Sequence, residues 1–327
     1  MTRRVVLALA ALMLLALLGG CAARPAERTV FAMDTVMTLK IWGSEAAADD
    51  AVRCINQLEQ QLSVTRPESE VARLNAGGSA ALSPDTAELL RQSLALCRLT
   101  GGALDITIGP VAALWGFSTG DYRLPQADVL AAALRCVDYR AVSWQGDTFT
   151  LPQGGAVTLG AVAKGYAADV LCRQLRQAGA ESAVLNLGGN VQTLGTRPGG
   201  GDWQIAIRDP ADVGAMLGTL WIPGSAAVVT SGGYQRWFQE DGTVYHHILD
   251  PATGYPARSG LTSVTIVAGS GLYADALSTA VYVMGKDAAL ALWRQQGDFD
   301  MVLVDDGGRV YQTGGLRLTG VEAEVLS

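Results

Sequence analysis

Histidine is scarce in this chain of 327 residues, and its cysteines are widely spaced. There are two histidines and five cysteines, and after Cys21 the cysteines are Cys54, Cys97, Cys136 and Cys172, with no C-x-x-C arrangement. Structural zinc sites use closely spaced Cys and His ligands, so the pattern argues against zinc. Two disulfides and buried single thiols are both compatible with an oxidising compartment, since three of the four residues lie in predicted helices.

The chain also lacks any concentrated run of Lys or Arg. Its formal charge is −7, and without residues 1–20, which hold Arg3 and Arg4 but no acid, 22 basic and 31 acidic side chains remain. A nucleic acid backbone requires a dense basic face, so no nucleic acid partner is expected. An acidic protein binds a phosphate ligand when a metal ion or backbone N–H groups supply the positive field. Any nucleotide chemistry is therefore expected to be metal-assisted.

The N-terminus has the organisation of an export signal. Arg3 and Arg4 precede an apolar run over 5–18, which ends in Leu18-Gly19-Gly20-Cys21. A membrane-spanning helix needs about 20 apolar residues, and small residues before a cysteine are typical of a cleavage site. The ending resembles a lipobox, which predicts a signal peptide over 1–20, lipid on Cys21 and a lipidated tether over 21–30. An uncleaved anchor is the alternative. Both place the body outside the cytoplasm, anchored to the membrane.

Hydrophobic periodicity and turn residues predict an α+β fold. Helical patterns cover 46–62, 84–101, 161–179 and 272–284, with Ser44 and Ser83-Pro84 as N-terminal signals for the first two. Strand-like runs cover 31–42, 183–187, 203–207, 226–230, 245–249 and 263–268, and 299–311 is typical of a hairpin. The strands cluster instead of alternating with helices. No linker interrupts the chain, which predicts one large domain or two intimately packed halves.

The two histidines are neighbours, His246 and His247, and a turn rich in Pro and Gly follows them at 250–256. Neighbouring residues on a strand point to opposite faces, so we expect one imidazole to face a cleft while the other packs or is solvated. Such histidines are either structural or catalytic, and the stiff turn leaves these two interpretations about equally supported.

Asp275 and Thr279 stand four residues apart at the start of the predicted helix 272–284, so they share one helical face. A carboxylate beside a hydroxyl suits Mg²⁺, which completes its octahedron with carbonyls, water and substrate phosphates. Spacing alone is better explained by a carboxylate that offsets the helix dipole and a threonine that bonds to the previous turn.

Two glycine turns, 160–166 and 186–190, each join a strand-like run to the next segment. Exposed N–H groups at such turns cradle phosphates, and Lys164 would add a positive charge. Neither turn is a Walker loop or a dinucleotide fingerprint, so each is a weak motif when taken alone.

Together these segments resemble the ApbE family of FAD:protein FMN transferases, formerly described as thiamine biosynthesis lipoproteins. The resemblance covers 31–327 and depends on ordered motifs at 33–35, 102–110, 163–169, 186–190, 231–236, 247–256 and 274–279. It implies a T-fold-like architecture of two packed α/β halves. It also implies FAD as substrate and a magnesium cofactor.

The resemblance further implies roles for individual residues. His247 would be the catalytic residue. The FAD site would be lined by Met33, Ala103, Leu104, Asp105, Thr158, Lys164 and Leu249. The metal would be held by Ala161 through its carbonyl and by Asp275 and Thr279, with Ser278 close by. Three positions depart from the family pattern, namely Thr158 in place of Asp, Gly233 in place of an acidic residue and Thr65 in place of an aromatic residue.

The implied reaction transfers the FMN half of FAD to a Thr or Ser hydroxyl of a target protein and releases AMP. The implied partners are exported or membrane flavoproteins, such as subunits of Rnf- or Nqr-type pumps and related reductases. Two alternatives stay open. The same metal site could hydrolyse FAD to FMN and AMP, or the chain could be a lipid-tethered flavin-binding protein without catalysis.

Overall fold

The computed structural model describes residues 24–327. The predicted signal peptide over 1–20 and the predicted lipidation site Cys21 lie outside the described residues. The predicted tether over 21–30 stays a prediction, and within it the first strand begins at Ala26, whose side chain is buried. In the part of the chain that the structure describes, no helix is long and apolar enough to cross a membrane.

The described chain contains eight α-helices. They are α1 (Glu45–Leu62), α2 (Glu70–Gly77), α3 (Pro84–Leu99), α4 (Gly109–Trp115), α5 (Ala127–Leu134), α6 (Ala163–Gln177), α7 (Gly271–Met284) and α8 (Lys286–Gln296). Four of them, α1, α3, α6 and α7, correspond to the four predicted helical patterns. The predicted caps are confirmed, because Ser44 Oγ accepts from the N–H of Ala47, and Ser83 precedes Pro84 at the first turn of α3.

The strands of the described chain are short and numerous. They are β1 (Ala26–Ala32), β2 (Thr35–Trp42), β3 (Ser79–Ala81), β4 (Ser143–Gln145), β5 (Thr148–Thr150), β6 (Ser182–Leu187), β7 (Asn190–Leu194), β8 (Trp203–Arg208), β9 (Met216–Ile222), β10 (Ala227–Gly232), β11 (Trp237–Glu240), β12 (Thr243–His246), β13 (Leu261–Ala268), β14 (Phe299–Asp305), β15 (Val310–Thr313), β16 (Arg317–Thr319) and β17 (Glu324–Leu326).

Two of the predicted strands differ from the structure. The run 31–42 contains the end of β1, a turn and β2, since Met33 and Asp34 both have positive φ and reverse the chain. That turn lacks the Asn-Gly or Gly signal that marks most tight hairpins, so its residue types do not predict it. The predicted strand 245–249 ends at His246, and Leu249 instead pairs with Pro256 across the following turn.

One nine-stranded sheet organises the domain in the order β1-β2-β6-β7-β10-β13-β14-β15-β17. Its first half contains β1, β2, β6 and β7, its second half begins at β10, and antiparallel pairing of β7 with β10 joins the two. Helices cover one face, with α1, α3 and α6 on the first half and α7 and α8 on the second. The small sheet β16-β9-β8 covers the other face. The prediction of an α+β fold is confirmed.

All four cysteines after Cys21 are free thiols. Cys97 and Cys172 are buried in the first half, and this burial raises the pKa of each thiol to about 12. Thiols with so high a pKa stay protonated at neutral pH and behave as small apolar side chains.

Helices α6 and α7 cross at a pair of glycines. A side chain at Gly165 would overlap the carbonyl oxygen of Gly271 and lie 2.7 Å from Asp275 Cβ, and a side chain at Gly271 would overlap the carbonyl oxygen of Gly165. One turn further along α6, the Asp169 carboxylate accepts from the N–H groups of Gly271 at 2.7 Å and Leu272 at 3.0 Å. Asp169 therefore caps α7 and fixes its position along α6.

We predict that Gly165→Ala destabilises the fold, because the added methyl group has no space between the two backbones. Overpacking of this kind costs about 1 to 3 kcal/mol of unfolding free energy, which urea denaturation measures. Gly77→Ala is the matched control, since Gly77 ends α2 and a Cβ there meets nothing within 4 Å. Equal stability of the two variants would contradict the close crossing.

Candidate active site

A cleft of about 970 Å³ opens where the two halves of the large sheet meet. Every predicted site residue in the described chain lines it, with the exception of Ser278: Met33, Ala103, Leu104, Asp105, Thr158, Ala161, Lys164, His247, Leu249, Asp275 and Thr279. A shallower crevice of about 600 Å³ between α1, α3 and α6 contains none of them. The fold thus brings together residues up to 246 positions apart in sequence.

Asp275 is the most buried ionisable residue with a carboxylate in the cleft wall. Asp275 is 3% exposed, and its Oδ2 accepts from the N–H of Gly165 at 2.9 Å. None of the ion pairs within residues 24–327 involves it. A buried carboxylate with one backbone donor and no cationic partner is stabilised when a cation binds beside it.

The other predicted metal ligands lie around Asp275. Thr279 is one turn further along α7, and Ala161 is in the turn before α6, so a hydroxyl and a carbonyl share the cleft with the carboxylate. Within residues 24–327 no three His, Cys, Asp or Glu side chains cluster as a metal site. The donor set therefore fits a hard cation that needs one carboxylate and further neutral oxygens, as Mg²⁺ does.

Ser278 is fully buried behind this wall. Its Oγ lies 2.7 Å from Ser231 Oγ and donates to the carbonyl oxygen of Asp275 at 2.8 Å. Ser278 therefore connects α7 to β10 and does not line the cleft. The implied place of Ser278 near the metal stays a prediction, and the observed contacts show a structural role.

His247 faces the cleft, and its imidazole is held by the backbone. Its Nδ1 lies 3.2 Å from the carbonyl oxygen of Arg236, which can only accept, so Nδ1 carries the proton and Nε2 has a free lone pair. Burial lowers the pKa of His247 to about 3, and the nearby Arg236 guanidinium contributes. The imidazole is therefore neutral at pH 7 and able to accept a proton.

His246 points the other way, as predicted. Its Nε2 lies 3.1 Å from the carbonyl oxygen of Ala257, and its ring meets the Tyr282 ring edge to face. Burial lowers its pKa below the ordinary value of 6.5. The two neighbouring histidines thus have different environments, and the one that lines the cleft is His247.

Asp105 lines the cleft, but its carboxylate is hydrogen-bonded to Thr107 in the same loop and to Tyr139. One oxygen accepts from the N–H and the hydroxyl of Thr107, at 2.8 and 2.6 Å, and the other from the N–H of Tyr139 at 3.1 Å. Burial raises the pKa of this carboxyl above its ordinary value. The geometry shows Asp105 as the residue that shapes the loop carrying Ala103 and Leu104.

The three departures from the family pattern occupy different surroundings. Thr65 and Thr158 both line the cleft. Thr65 occupies less space than the aromatic side chain that the resemblance implies there, whereas Thr158 and an aspartate are similar in size. Gly233 lies under the ring of His246, and a Cβ at this position would come within 2.8 Å of Tyr282 Oη and 2.9 Å of His246 Cδ2. An acidic side chain at 233 has no space in this packing.

Sequence reasoning missed two residues that the site depends on. Asp169 lies in the motif 163–169, for which the resemblance implies no role at this residue. The structure shows that Asp169 caps the helix that carries Asp275. Arg236 supplies the carbonyl that orients His247. Backbone contacts of this kind leave no compositional signal, whereas Asp169 could have been suspected from its position in the motif 163–169.

Known structures share this fold. The ApbE protein of Thermotoga maritima superposes with a TM-score of 0.83 at 31% identity, covering 89% of this chain and 98% of that one. The apo form of the Pseudomonas stutzeri flavinyl transferase ApbE gives a TM-score of 0.78 at 30% identity, with 91% and 95% covered. The fold is that of the flavin transferases.

The sequence model of the ApbE family matches residues 33–303. Proteins named FAD:protein FMN transferase are similar along most of their length. The one from Treponema pallidum is 32% identical, covering 91% of this chain and 89% of its own, and one from Klebsiella pneumoniae is 36% identical, covering 83% and 86%. The chain belongs to the ApbE family.

We predict a pH dependence of stability from His247. The pKa of His247 is about 3 in the folded protein and about 6.5 in the unfolded chain. Below pH 6.5 the unfolded chain therefore binds a proton at this residue that the folded protein does not bind, and stability falls as the pH drops. When the pH is lowered from about 7 to 5, the unfolding free energy of both proteins should fall. The decrease should be roughly 1 to 2 kcal/mol smaller for His247→Gln than for the parent protein, as measured by urea titration. An identical loss in both proteins would show that His247 is not desolvated.

Proposed function

We propose that the protein transfers the FMN half of FAD to a Thr or Ser hydroxyl of a target protein, in a reaction that requires Mg²⁺. The observation that carries this proposal is the meeting of a neutral His247 with the oxygen ligands of Asp275, Thr279 and Ala161 in one cleft. Membership in a family whose relatives are named FAD:protein FMN transferase supports it.

The chemistry breaks the phosphoanhydride bond of FAD and forms a phosphoester bond to the acceptor. The acceptor oxygen forms a bond to the phosphorus on the FMN side of FAD, the bond from that phosphorus to the bridging oxygen breaks, and AMP leaves with the bridging oxygen. The hydroxyl proton goes to Nε2 of His247, whose lone pair is free because Nδ1 is bound to Arg236. Proton removal at the attacking oxygen is the step for which this chain provides a base.

Three cationic side chains line the cleft, Lys164, Arg208 and Arg236. Asp275, Thr279 and the Ala161 carbonyl would hold a metal ion there. A bound Mg²⁺ would neutralise charge that develops on the phosphates during transfer. Asp275 remains buried and bonded to Gly165, so its carboxylate is already oriented before a ligand arrives.

A protein acceptor needs access to the cleft. Val36 and Val213 belong to the cleft wall and are 58% and 53% exposed, so the cleft opens to solvent beside apolar surface. Such surface suits a protein partner better than a small solute. Hydrolysis of FAD by water would need no apolar surface, and binding without catalysis would need no base.

Location would select the acceptor. If Cys21 carries lipid, the enzyme is confined to the outer face of a membrane, and FAD and the acceptor hydroxyl must both be presented there. Exported subunits of Rnf- or Nqr-type pumps and related reductases meet this condition. Confinement of both proteins to one surface raises their effective concentration.

We predict that the purified protein, given FAD, Mg²⁺ and such an exported flavoprotein subunit, adds the mass of one FMN phosphoester to the subunit. Asp275→Ala should reduce the transfer rate at least about 100-fold and weaken its dependence on Mg²⁺, since the buried ligand is lost. Asp298→Ala is the control, because Asp298 bonds Tyr273 and neither residue lines the cleft. Mass spectrometry follows the adduct.

AMP release separates the alternatives. A transferase should release AMP with the acceptor present and little without it, whereas a hydrolase releases AMP at the same rate in both conditions. Flavin binding with no AMP in either condition would support the non-catalytic alternative and refute transfer.

We predict that His247→Ala lowers the transfer rate by about 100-fold or more, because removal of a general base typically costs that much. FAD affinity should stay within about threefold of the parent value, since the imidazole acts on the acceptor hydroxyl. His246→Ala is the matched control. It removes packing against Tyr282, so it should lower thermal stability while the folded fraction still transfers FMN. Transfer at the parent rate by His247→Ala would assign the base to another residue.

A further inference from the structure

Asn190 is a buried polar side chain that the reaction described above does not use. It begins β7, lines the cleft and is 4% exposed. Its Nδ2 is buried and has no hydrogen-bond partner within residues 24–327. By contrast, the amide of Asn75 bonds both the carbonyl and the N–H of Val157, at 2.8 Å each. A buried unpaired amide is costly, and it persists where a ligand completes it.

The register of the sheet places Asn190 at the metal end of the cleft. On β7 and β10, Gln192 lies opposite Ala227 and Asn190 opposite Val229, and Ser231 follows on the same face. Gln192 contacts Asp169 at the N-terminus of α7, and Ser231 contacts Ser278 seven residues into that helix. Asn190 lies between these two contacts.

Asp275 lies in the corresponding stretch of α7, between Gly271 and Ser278. Like Asn190, it is buried and belongs to the cleft wall. The two side chains therefore approach the same end of the cleft from the sheet and from the helix. A carboxamide is planar and nearly symmetric, so a half-turn about its last bond presents either NH₂ or C=O to a ligand.

We propose that Asn190 is a further substrate-binding residue, whose NH₂ group donates a hydrogen bond to a phosphate oxygen of the dinucleotide. This inference rests on the proposed function, which places the pyrophosphate beside Asp275. A neutral donor suits this position, because it binds an anionic oxygen without competing with the metal for the Asp275 carboxylate. The amide would also favour FAD over flavins without a pyrophosphate.

The test compares Asn190→Leu with the parent protein by flavin fluorescence titration in Mg²⁺ and by thermal denaturation without ligand. We expect FAD affinity to fall at least about tenfold, since a hydrogen bond to a charged oxygen is lost. Riboflavin affinity should not change. The melting temperature of the ligand-free variant should be equal or higher, because an unpaired buried amide has been replaced by an apolar group of similar size.

Two further variants sharpen the result. Gln312→Leu is the matched control, since Gln312 has a buried unpaired Oε1 on β15, outside the cleft lining. It should leave FAD affinity unchanged. Asn190→Asp should weaken FAD binding, because a carboxylate repels the phosphate. If Asn190→Asp instead bound FAD as tightly as the parent protein, no phosphate oxygen would lie at this side chain and the proposal would be wrong.

Other outcomes also decide the matter. Unchanged FAD affinity in Asn190→Leu, or a melting temperature lowered by several degrees, would show that Asn190 is a structural residue. Parent protein that binds FAD but transfers no FMN would refute the proposed function while leaving the binding role of Asn190 measurable. Parent protein that binds no FAD at all would refute both.

Discussion

The crossing of α6 and α7 is the contact on which the site depends. Two backbones approach at Gly165 and Gly271 more closely than any side chain would permit, and Asp169 bonds the first N–H groups of α7. This contact brings the two halves of the domain together on the helical face of the sheet. It also places the N–H of Gly165 against the carboxylate of Asp275. The buried carboxylate of Asp275 in the cleft wall is therefore oriented by the same packing that joins the halves.

The cleft is adapted to an anionic substrate in a protein of negative net charge. Lys164, Arg208 and Arg236 line it, and His247 is kept neutral by burial. The buried carboxylate of Asp275 belongs to none of the ion pairs within residues 24–327. A protonated imidazole would bind phosphate but could not accept the proton of a hydroxyl. Burial thus keeps the imidazole of His247 neutral at and well below pH 7, while the backbone of Arg236 selects the tautomer.

Much of the secondary structure was predictable, and the exceptions have physical causes. Serine caps and periodic apolar residues located α1, α3, α6 and α7, because these signals act within a few residues of sequence. The β1–β2 turn was missed, since Met33 and Asp34 adopt positive φ without a glycine. The run after His246 was predicted as strand from its apolar residues. Those residues instead pack beneath a turn, where Ile248 and Leu249 are buried.

By itself the sequence determined the helices α1, α3, α6 and α7, the α+β class, the contrast between the two histidines and the family motifs that gather in the cleft. These depend on local propensity, on alternation along a strand and on residue types that stand in order along the chain. Tertiary structure alone decided which groups have partners. Asp105 bonds Thr107 and Tyr139, Ser278 lies behind the cleft wall, and a side chain has no space at Gly233. The Nδ2 atom of Asn190 has no hydrogen-bond partner within residues 24–327. Burial and hydrogen bonding arise between residues far apart in sequence, so they exist only once the two halves have packed.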